Sequence, residues 1–373
     1  MTRTLASTPA ADGFRMPGEF EPHAGCWVLW PERPDNWREA ARPAQLAFAQ
    51  VAVAIAQFEP VTVGASAGHY AAARALLPEH VGVIEMAHDD AWMRDVGPTG
   101  VVNRRGLVRG VDWRFNAWGG LNGGLYFPWD QDDLVARKVL ETERLERYRA
   151  PMVNEGGAIH VDGQGTALVT EECLLNPNRN SRLARSDIER QLREYLGVAQ
   201  IIWLGKGVVN DETSGHIDNL ACFVRPGVVC LTWTERRRDA QYAISRDALE
   251  RLQEARDARG RRLKVVRLPL PGPLYLRASE AAGIVPKEGS RPRVAGERLA
   301  ASYVNFYLAN GGVVMPLLDA RTDTLAAARL KRLFPGRRVV GVPAREILLG
   351  GGNIHCITQQ IPAGTRRRSP SAR

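Results

Sequence analysis

The stretch AIHVDGQGTALVTEECLLNPNRNSRLARSDIERQLREYLGVAQIIWL (158–204) decides the fold class. Two short β-like runs, 158–161 and 166–170, flank the tight polar turn Asp162-Gly-Gln-Gly165, which predicts that they pair antiparallel. A helix is expected over 181–196, and an apolar strand follows at 199–204. Within that helix, Ser186-Asp-Ile-Glu189 reads either as a second-turn capping box or as a polar face.

The same alternation continues outward. Helices are expected over 36–58, 68–77, 130–148, 236–258 and 322–334. Strands are expected over 61–63, 81–85, 100–103, 220–224, 228–232, 263–268, 312–316, 339–342 and 354–358, with further tight turns at Pro226-Gly227 and Asn310-Gly-Gly312. Interleaved helices and strands make the class α/β. Tight strand–turn–strand pairs imply antiparallel pairing as well, which makes a simple doubly wound sheet less secure. Several segments mix a helix with two or three strands, consistent with a divergent repeat arranged in a ring, although their spacing is too irregular to establish one. No long Pro/Ser linker divides the chain. Residues 1–365 therefore read as one domain, and the basic end RRRSPSAR (366–373) as a disordered tail.

Of the 373 residues, 45% are hydrophobic and 24% charged, which excludes global disorder, collagen and coiled coil. The longest apolar run, 46–58, is interrupted by Gln50 and Gln57, so no membrane span is expected. The N-terminal MTRTLASTPAADGF lacks the apolar region of a secretion signal. Five cysteines, an odd number, form no disulfide framework, and a reducing cytoplasm is the expected location. The formal charge of +9 comes from 50 basic against 41 acidic residues. The excess is scattered over Arg236–Arg238, Arg259–Arg262, Arg337-Arg338 and the tail. It reads as solvated surface, with no nucleic-acid partner.

Residues with catalytic potential gather in four glycine-rich segments at strand edges: AWMRDVGP (91–98), NEGG (154–157), NDETSGHIDN (210–219) and GGGNIHCITQQ (350–360). Cys356 follows three glycines and precedes a run too polar for a buried strand, so it reads as an accessible thiol: a nucleophile or, on equal terms, a structural cysteine. Cys222 and Cys230, set among Phe, Val and Leu, read as core, and Cys26 and Cys173 are ambiguous. His216 is the natural proton acceptor, and on a strand it would share a face with Asp218; a surface turn is the competing reading. His160 and His355 read as structural. Asp95, Glu155 and Asp218 also lie beside glycines. Carboxylates around a thiol disfavour the thiolate, and the arrangement makes sense when the substrate is a cation. No metal is expected, because HExxH, paired CxxC and Asp-rich calcium loops are absent. GGLNGG (119–124) lacks the residues of a phosphate-binding loop. Among the tryptophans, one or two could wall a cationic pocket.

Together these segments resemble the agmatine deiminases, within the guanidine-modifying superfamily that includes peptidylarginine deiminases. The resemblance runs from MPGEFEPHAG (16–25) to QQIP (359–362), through DDAWMRDVGP (89–98), FNAWGG (115–120), NEGGAIHVDG (154–163), LNPNRN (175–180), LPLPGPLY (268–275), ASYVNFYLANGG (301–312) and GGGNIHCITQQIP (350–362). It implies a five-bladed α/β propeller of the pentein type with pseudo-fivefold symmetry. The implied reaction is hydrolysis of agmatine to N-carbamoylputrescine and ammonia through an amidino-cysteine, a step toward putrescine, without metal or organic cofactor. By motif, Cys356 is the nucleophile and His216 the general acid/base. Asp95 and Asp218 hold the guanidinium, and Glu155 binds it or orients His216. Glu212, Trp92, Trp118 and Gly351 receive the rest of the substrate, and Ser214 departs from the Asn or acid common at its place. The family suggests a homo-oligomer. Deimination of free or peptidyl arginine, or amidino transfer, is the alternative.

Overall fold

The computed structural model describes residues 2–365; the expected tail at 366–373 lies outside the described residues. The strands form five sheets, and one unit recurs in all of them: two antiparallel strands, a helix, and a strand parallel to the second. Within 158–204, His160–Val161 pairs antiparallel with Thr166–Thr170, the helix Arg185–Leu196 crosses over, and Gln200–Leu204 runs parallel. A parallel neighbour cannot be reached by a tight turn, so the helix both bridges the gap and covers a face of the sheet. The unit repeats as Ala221–Arg225, Val228–Trp233, helix Ala240–Glu254 and Lys264–Pro269. It repeats again as Tyr307–Ala309, Gly312–Leu317, helix Asp323–Leu333 and Arg338–Pro343. Before these stands Thr99–Asn103, Val108–Arg114, helix Val135–Thr142 and Arg147–Val153. In the fifth unit the two ends of the chain meet. The late strand Thr358–Pro362 pairs antiparallel with the early strand His23–Leu29, followed by helix Arg42–Ala56 and parallel Val61–Ala65.

Local chemistry explains the turns. Pro226 presets the first turn position and Gly227 takes φ 77°, the left-handed value that a type II turn demands. Asp162 Oδ1 accepts the N–H groups of Gln164 and Thr166, closing the other hairpin. Alternation then sorts the core. Along Val228–Trp233, Val229 and Leu231 pack with Leu249 and Leu252 of the helix Ala240–Glu254, while Val228 and Cys230 face a second cluster with Leu268 and Phe306. Both faces are covered, which is why the run is continuously apolar. Each such buried aliphatic side chain contributes up to about 1.5–3 kcal/mol.

Several expectations need correction. The helix expected over 130–148 covers only Val135–Thr142, because 147–153 is a strand whose Arg147 and Arg149 both pair with the buried Asp112 of the neighbouring strand. The strand expected at 354–358 lies at Thr358–Pro362. It is fully buried in spite of its polarity, since the Gln360 side chain accepts a hydrogen bond from Arg94 at 2.8 Å. Residues 217–220, expected to begin a strand, form one helical turn. The helix expected from 181 starts at Arg185, where Asp187 caps the Ala184 N–H, and Glu189 serves as part of a polar face bound to Trp203.

The repeat positions the site. In four units the segment leading into the first strand carries a residue with catalytic potential. Asp95 lies in the short helix Met93–Val96 before Thr99–Asn103, and Glu155 precedes the turn Gly156–Ala158 before His160–Val161. His216 and Asp218 begin the turn Ile217–Leu220 before Ala221–Arg225, and Cys356 stands just ahead of Thr358–Pro362. In the remaining unit the equivalent place, ahead of Tyr307–Ala309, holds Asn305.

Candidate active site

Asp95, His216, Cys356, Trp92, Trp118, Glu212 and Gly351 line one cavity. The expectation that Cys356 is accessible does not hold: its residue is only 7% exposed, within the lining of that cavity. Its Sγ lies 3.7 Å from Asp218 Oδ2 and accepts a hydrogen bond from Asn305 Nδ2 at 3.3 Å. Burial, with Asp218 and Asp95 adding to it, pushes the thiol pKa well above its usual range, against a smaller opposing effect of Asn305.

His216 is held between acids. Its Nδ1 is 3.8 Å from Asp95 Oδ2 and its Nε2 is 3.4 Å from Glu155 Oε2. Burial works against its charge, but Asp95, Cys173 and Glu155 outweigh it and raise the imidazole pKa well above the ordinary value. His216 and Asp218 reach one centre because they start a helical turn, and strand alternation plays no part. Gly157 is required between them: a β-carbon there would lie 2.5 Å from His216 Nδ1, 2.9 Å from Asp95 Oδ1 and 3.0 Å from Asp218 Oδ2.

Asp95 accepts the Gly157 N–H at 2.9 Å and the Trp118 indole N–H at 3.0 Å. Trp118 adopts φ 61°, a costly conformation for a bulky residue that aims its indole at the carboxylate. Burial raises the Asp95 pKa to about 6, with Asp218 and Glu155 adding and His216 opposing. Asp218 behaves oppositely: burial would raise it, but His355, bonded to Oδ2 at 2.8 Å, holds it below the usual range. Its Oδ1 is buried with no hydrogen-bond partner among the described residues.

Neither Glu155 nor Asp218 is among the residues lining the cavity: Glu155 touches His216, one of the two roles expected of it, and Asp218 reaches Cys356 Sγ at 3.7 Å. The other oxygen of Glu155 accepts Arg179 Nε at 2.8 Å, and both side chains are fully buried. Arg179 outweighs the effect of burial and keeps the Glu155 pKa low. The same guanidinium donates to the carbonyls of Trp118 and Thr213, tying three of the sequence motifs together. Ser214 Oγ sits 3.5 Å from Arg179, in this cage and away from the cavity. Glu155, Cys173 and His216 bring three potential metal-ligand atoms within 4.8 Å of one another. The fixed Arg179 charge against that same Glu155 opposes a dication there.

Sequence reasoning missed several contributors. Asn305 was hidden in an apolar run. His355, read as structural, is clamped between Asp218 and Glu19 at 2.8 Å on each side, and its adjacency to Cys356 was the available signal. His160 does behave structurally, accepting the Phe223 N–H and stacking near His355. Ser290, Arg291 and Arg293 reach the cavity from the irregular segment between Lys264–Pro269 and Tyr307–Ala309. A stretch of that length whose regular structure is limited to the short helix Ala278–Ala281 and an isolated bridge is itself a functional signal. Cys222 and Cys230 face each other across paired strands in the core as free thiols, and Cys26 is buried in the strand His23–Leu29.

A thiol, an imidazole and carboxylates line one cavity, a combination chemically suited to nucleophilic catalysis on a cation. The chain belongs to the Porphyromonas-type peptidyl-arginine deiminase family, whose model matches residues 15–362. It is 60% identical over 359 residues to the agmatine deiminase of Pseudomonas aeruginosa (strain LESB58), covering 96% of this chain and 98% of the relative. Among solved structures, it is similar to an agmatine deiminase of Enterococcus faecalis described as catalysing its reaction. The TM-score is 0.95 and the identity 48%, over 97% of this chain and all of that one. A cysteine-to-serine variant of the C. jejuni agmatine deiminase, with substrate bound, matches with TM-score 0.82 at 26% identity, over 95% and 97% of the two chains.

Proposed function

We propose that this enzyme hydrolyses agmatine to N-carbamoylputrescine and ammonia, feeding putrescine formation. The observation that carries the chemistry is the Cys356 thiol 3.7 Å from Asp218, its pKa raised first by burial and then by the acids around it. A guanidinium between Asp95 and Asp218 offsets the acids' share of that effect, and the thiol releases its proton to solvent to give the thiolate. The thiolate attacks the guanidinium carbon, and protonated His216 gives its proton to the departing nitrogen, which leaves as ammonia. The carbon remains bound to Sγ as an amidino-cysteine. Neutral His216 then takes a proton from water, the hydroxide adds to that carbon, and collapse breaks the C–S bond, the hydroxyl proton passing to the departing thiolate as the carbamoyl product is released. Glu155, fixed by Arg179, orients His216, and Glu212 takes the ammonium end of the substrate.

No metal or organic cofactor has a role in these steps. We assign the site to a single domain whose five sheets stand as blades of a pentein-type propeller with pseudo-fivefold symmetry. The recurring unit and the pairing of Thr358–Pro362 with His23–Leu29 support that arrangement. Among the described residues no helix is long and apolar enough to cross a membrane, and the five cysteines are all unpaired, which supports a cytoplasmic location. The basic clusters at 236–238 and 259–262 are largely exposed and scattered, in keeping with solvated surface rather than a nucleic-acid site. We keep a homo-oligomer as the family's expectation, to be read by light scattering.

Ammonia release from agmatine and from arginine, in parallel, tests the reaction. Release from agmatine alone is expected. Release mainly from arginine would retain the chemistry and overturn the substrate.

A further inference from the structure

Beyond the reacting centre, the rim of the cavity holds a second built arrangement. Glu212 and Arg293 form an ion pair between side chains only 10% and 6% exposed. Arg293 Nη1 donates to Glu212 Oε1, Nη2 donates to Asn36 Oδ1 at 2.6 Å and to the Gly350 carbonyl, and Nε donates to Asn36 Oδ1 at 3.2 Å. Every nitrogen of the guanidinium is thus engaged. Glu212 is left half-used: Oε2 is buried with no hydrogen-bond partner among the described residues. A buried carboxylate oxygen without a donor is costly, so its persistence marks a place for one. Gly351 keeps that oxygen open. It sits at φ 107°, and a β-carbon there would lie 2.8 Å from Glu212 Oε2 and 3.1 Å from Arg293 Nη2.

We propose that Arg293 is a positioning residue that sets substrate selectivity, by fixing Glu212 so that its one free oxygen receives the ammonium of a guanidine carrying a second cation. The inference rests on the agmatine reading and adds the device that enforces it. Because four of the five N–H groups of Arg293 are taken by Glu212, Asn36 and Gly350, little of its donor capacity is left for a carboxylate at that end. An α-carboxylate there meets the unpaired Glu212 oxygen instead and is repelled. Arg293 also fastens the irregular segment that carries it to the glycine run preceding Cys356, so the amine site and the nucleophile share one support. Arginine is suited to this task because its planar fork engages three acceptors at once, which a lysine ammonium on a flexible stem does not reproduce.

The test compares agmatine with 1-butylguanidine, which keeps the guanidinium and chain but lacks the amine, in the full-length wild type, Arg293→Gln and Arg293→Lys. Melting temperatures accompany the kinetics to confirm folding. In the wild type agmatine is expected to be favoured by roughly 100-fold in kcat/KM, from one buried charge-assisted hydrogen bond. Arg293→Gln should cost agmatine roughly tenfold or more, mainly in KM, and leave butylguanidine within about twofold. Arg293→Lys should fall between. An equal loss for both substrates, carried by kcat, would show that Arg293 merely supports the fold, and unchanged agmatine kinetics would remove its role altogether; either result overturns the proposal while the agmatine reading stands. Wild type that ignores agmatine yet turns over butylguanidine overturns both.

Discussion

The floor and the rim of one cavity are built from different kinds of chain. At the floor, Asp95 and Cys356 line the cavity and Glu155 and Asp218 support them, all four from corresponding places in four copies of a repeated unit, each on the short segment that leads into a buried strand. Arg291 and Arg293 come instead from an irregular segment that belongs to no repeat. Rigid, repeated positions suit groups that must meet within tenths of an ångström; an irregular segment suits groups that choose among substrates. Chemistry and selectivity are therefore separable here, and variants can be ranked by which of the two they touch.

The largest effect should come from the floor. Cys356→Ala should lower turnover of any guanidine by on the order of 10⁴ or more while leaving the melting temperature nearly unchanged. Retained activity in that variant would remove the thiol from the mechanism. Asp95→Asn and Asp218→Asn should each cost about 10²–10³ in kcat/KM, because each removes a charge that the cation needs in both ground and transition states. Unchanged kinetics in either would dissolve the carboxylate clamp. Gly157→Ala, which forces a methyl into His216, Asp95 and Asp218, should lower kcat by about 10² for agmatine and butylguanidine alike. A loss confined to one substrate would contradict the division between floor and rim.

At the rim the effects shrink and become selective. Gly351→Ala should cost agmatine about tenfold and butylguanidine much less, since the added carbon meets Glu212 and Arg293 first. The smallest effect is one of pH. Asp95, its pKa raised by burial to about 6, loses its charge as pH falls through that value. Agmatine kcat/KM should therefore hold above pH 6 and fall below it, and Asp95→Asn should flatten that limb. A limb that survives unchanged in the variant would belong to another group.

Much of the floor was legible in the sequence, and the reason is physical. Catalytic side chains on tight segments need glycines beside them, as Gly157 beside His216 and Gly352 beside Cys356 and Trp92 demonstrate, so the motifs announce themselves. The α/β class was legible because its strands are buried on both faces and its helices are periodic. The strand 147–153 was not, since its arginines pair with Asp112 on a neighbouring strand, a contact no local pattern contains. Thr358–Pro362 was misplaced for the same reason: its Gln360 looks exposed until Arg94 is brought against it. Arg179, Arg293 and Asn305 stayed hidden because only the tertiary fold places them, and arginines are too common in this basic chain to stand out.

The central claim is that a bound cation, rather than the protein alone, makes Cys356 a thiolate. Its direct test is the ultraviolet absorbance of the thiolate at neutral pH, taken as the difference between wild type and Cys356→Ala, without and with guanidinium ion at non-denaturing concentration. The account predicts essentially no thiolate signal in the free enzyme and its appearance when the cation binds. A strong thiolate signal in the free enzyme, unaltered by the cation, would contradict it.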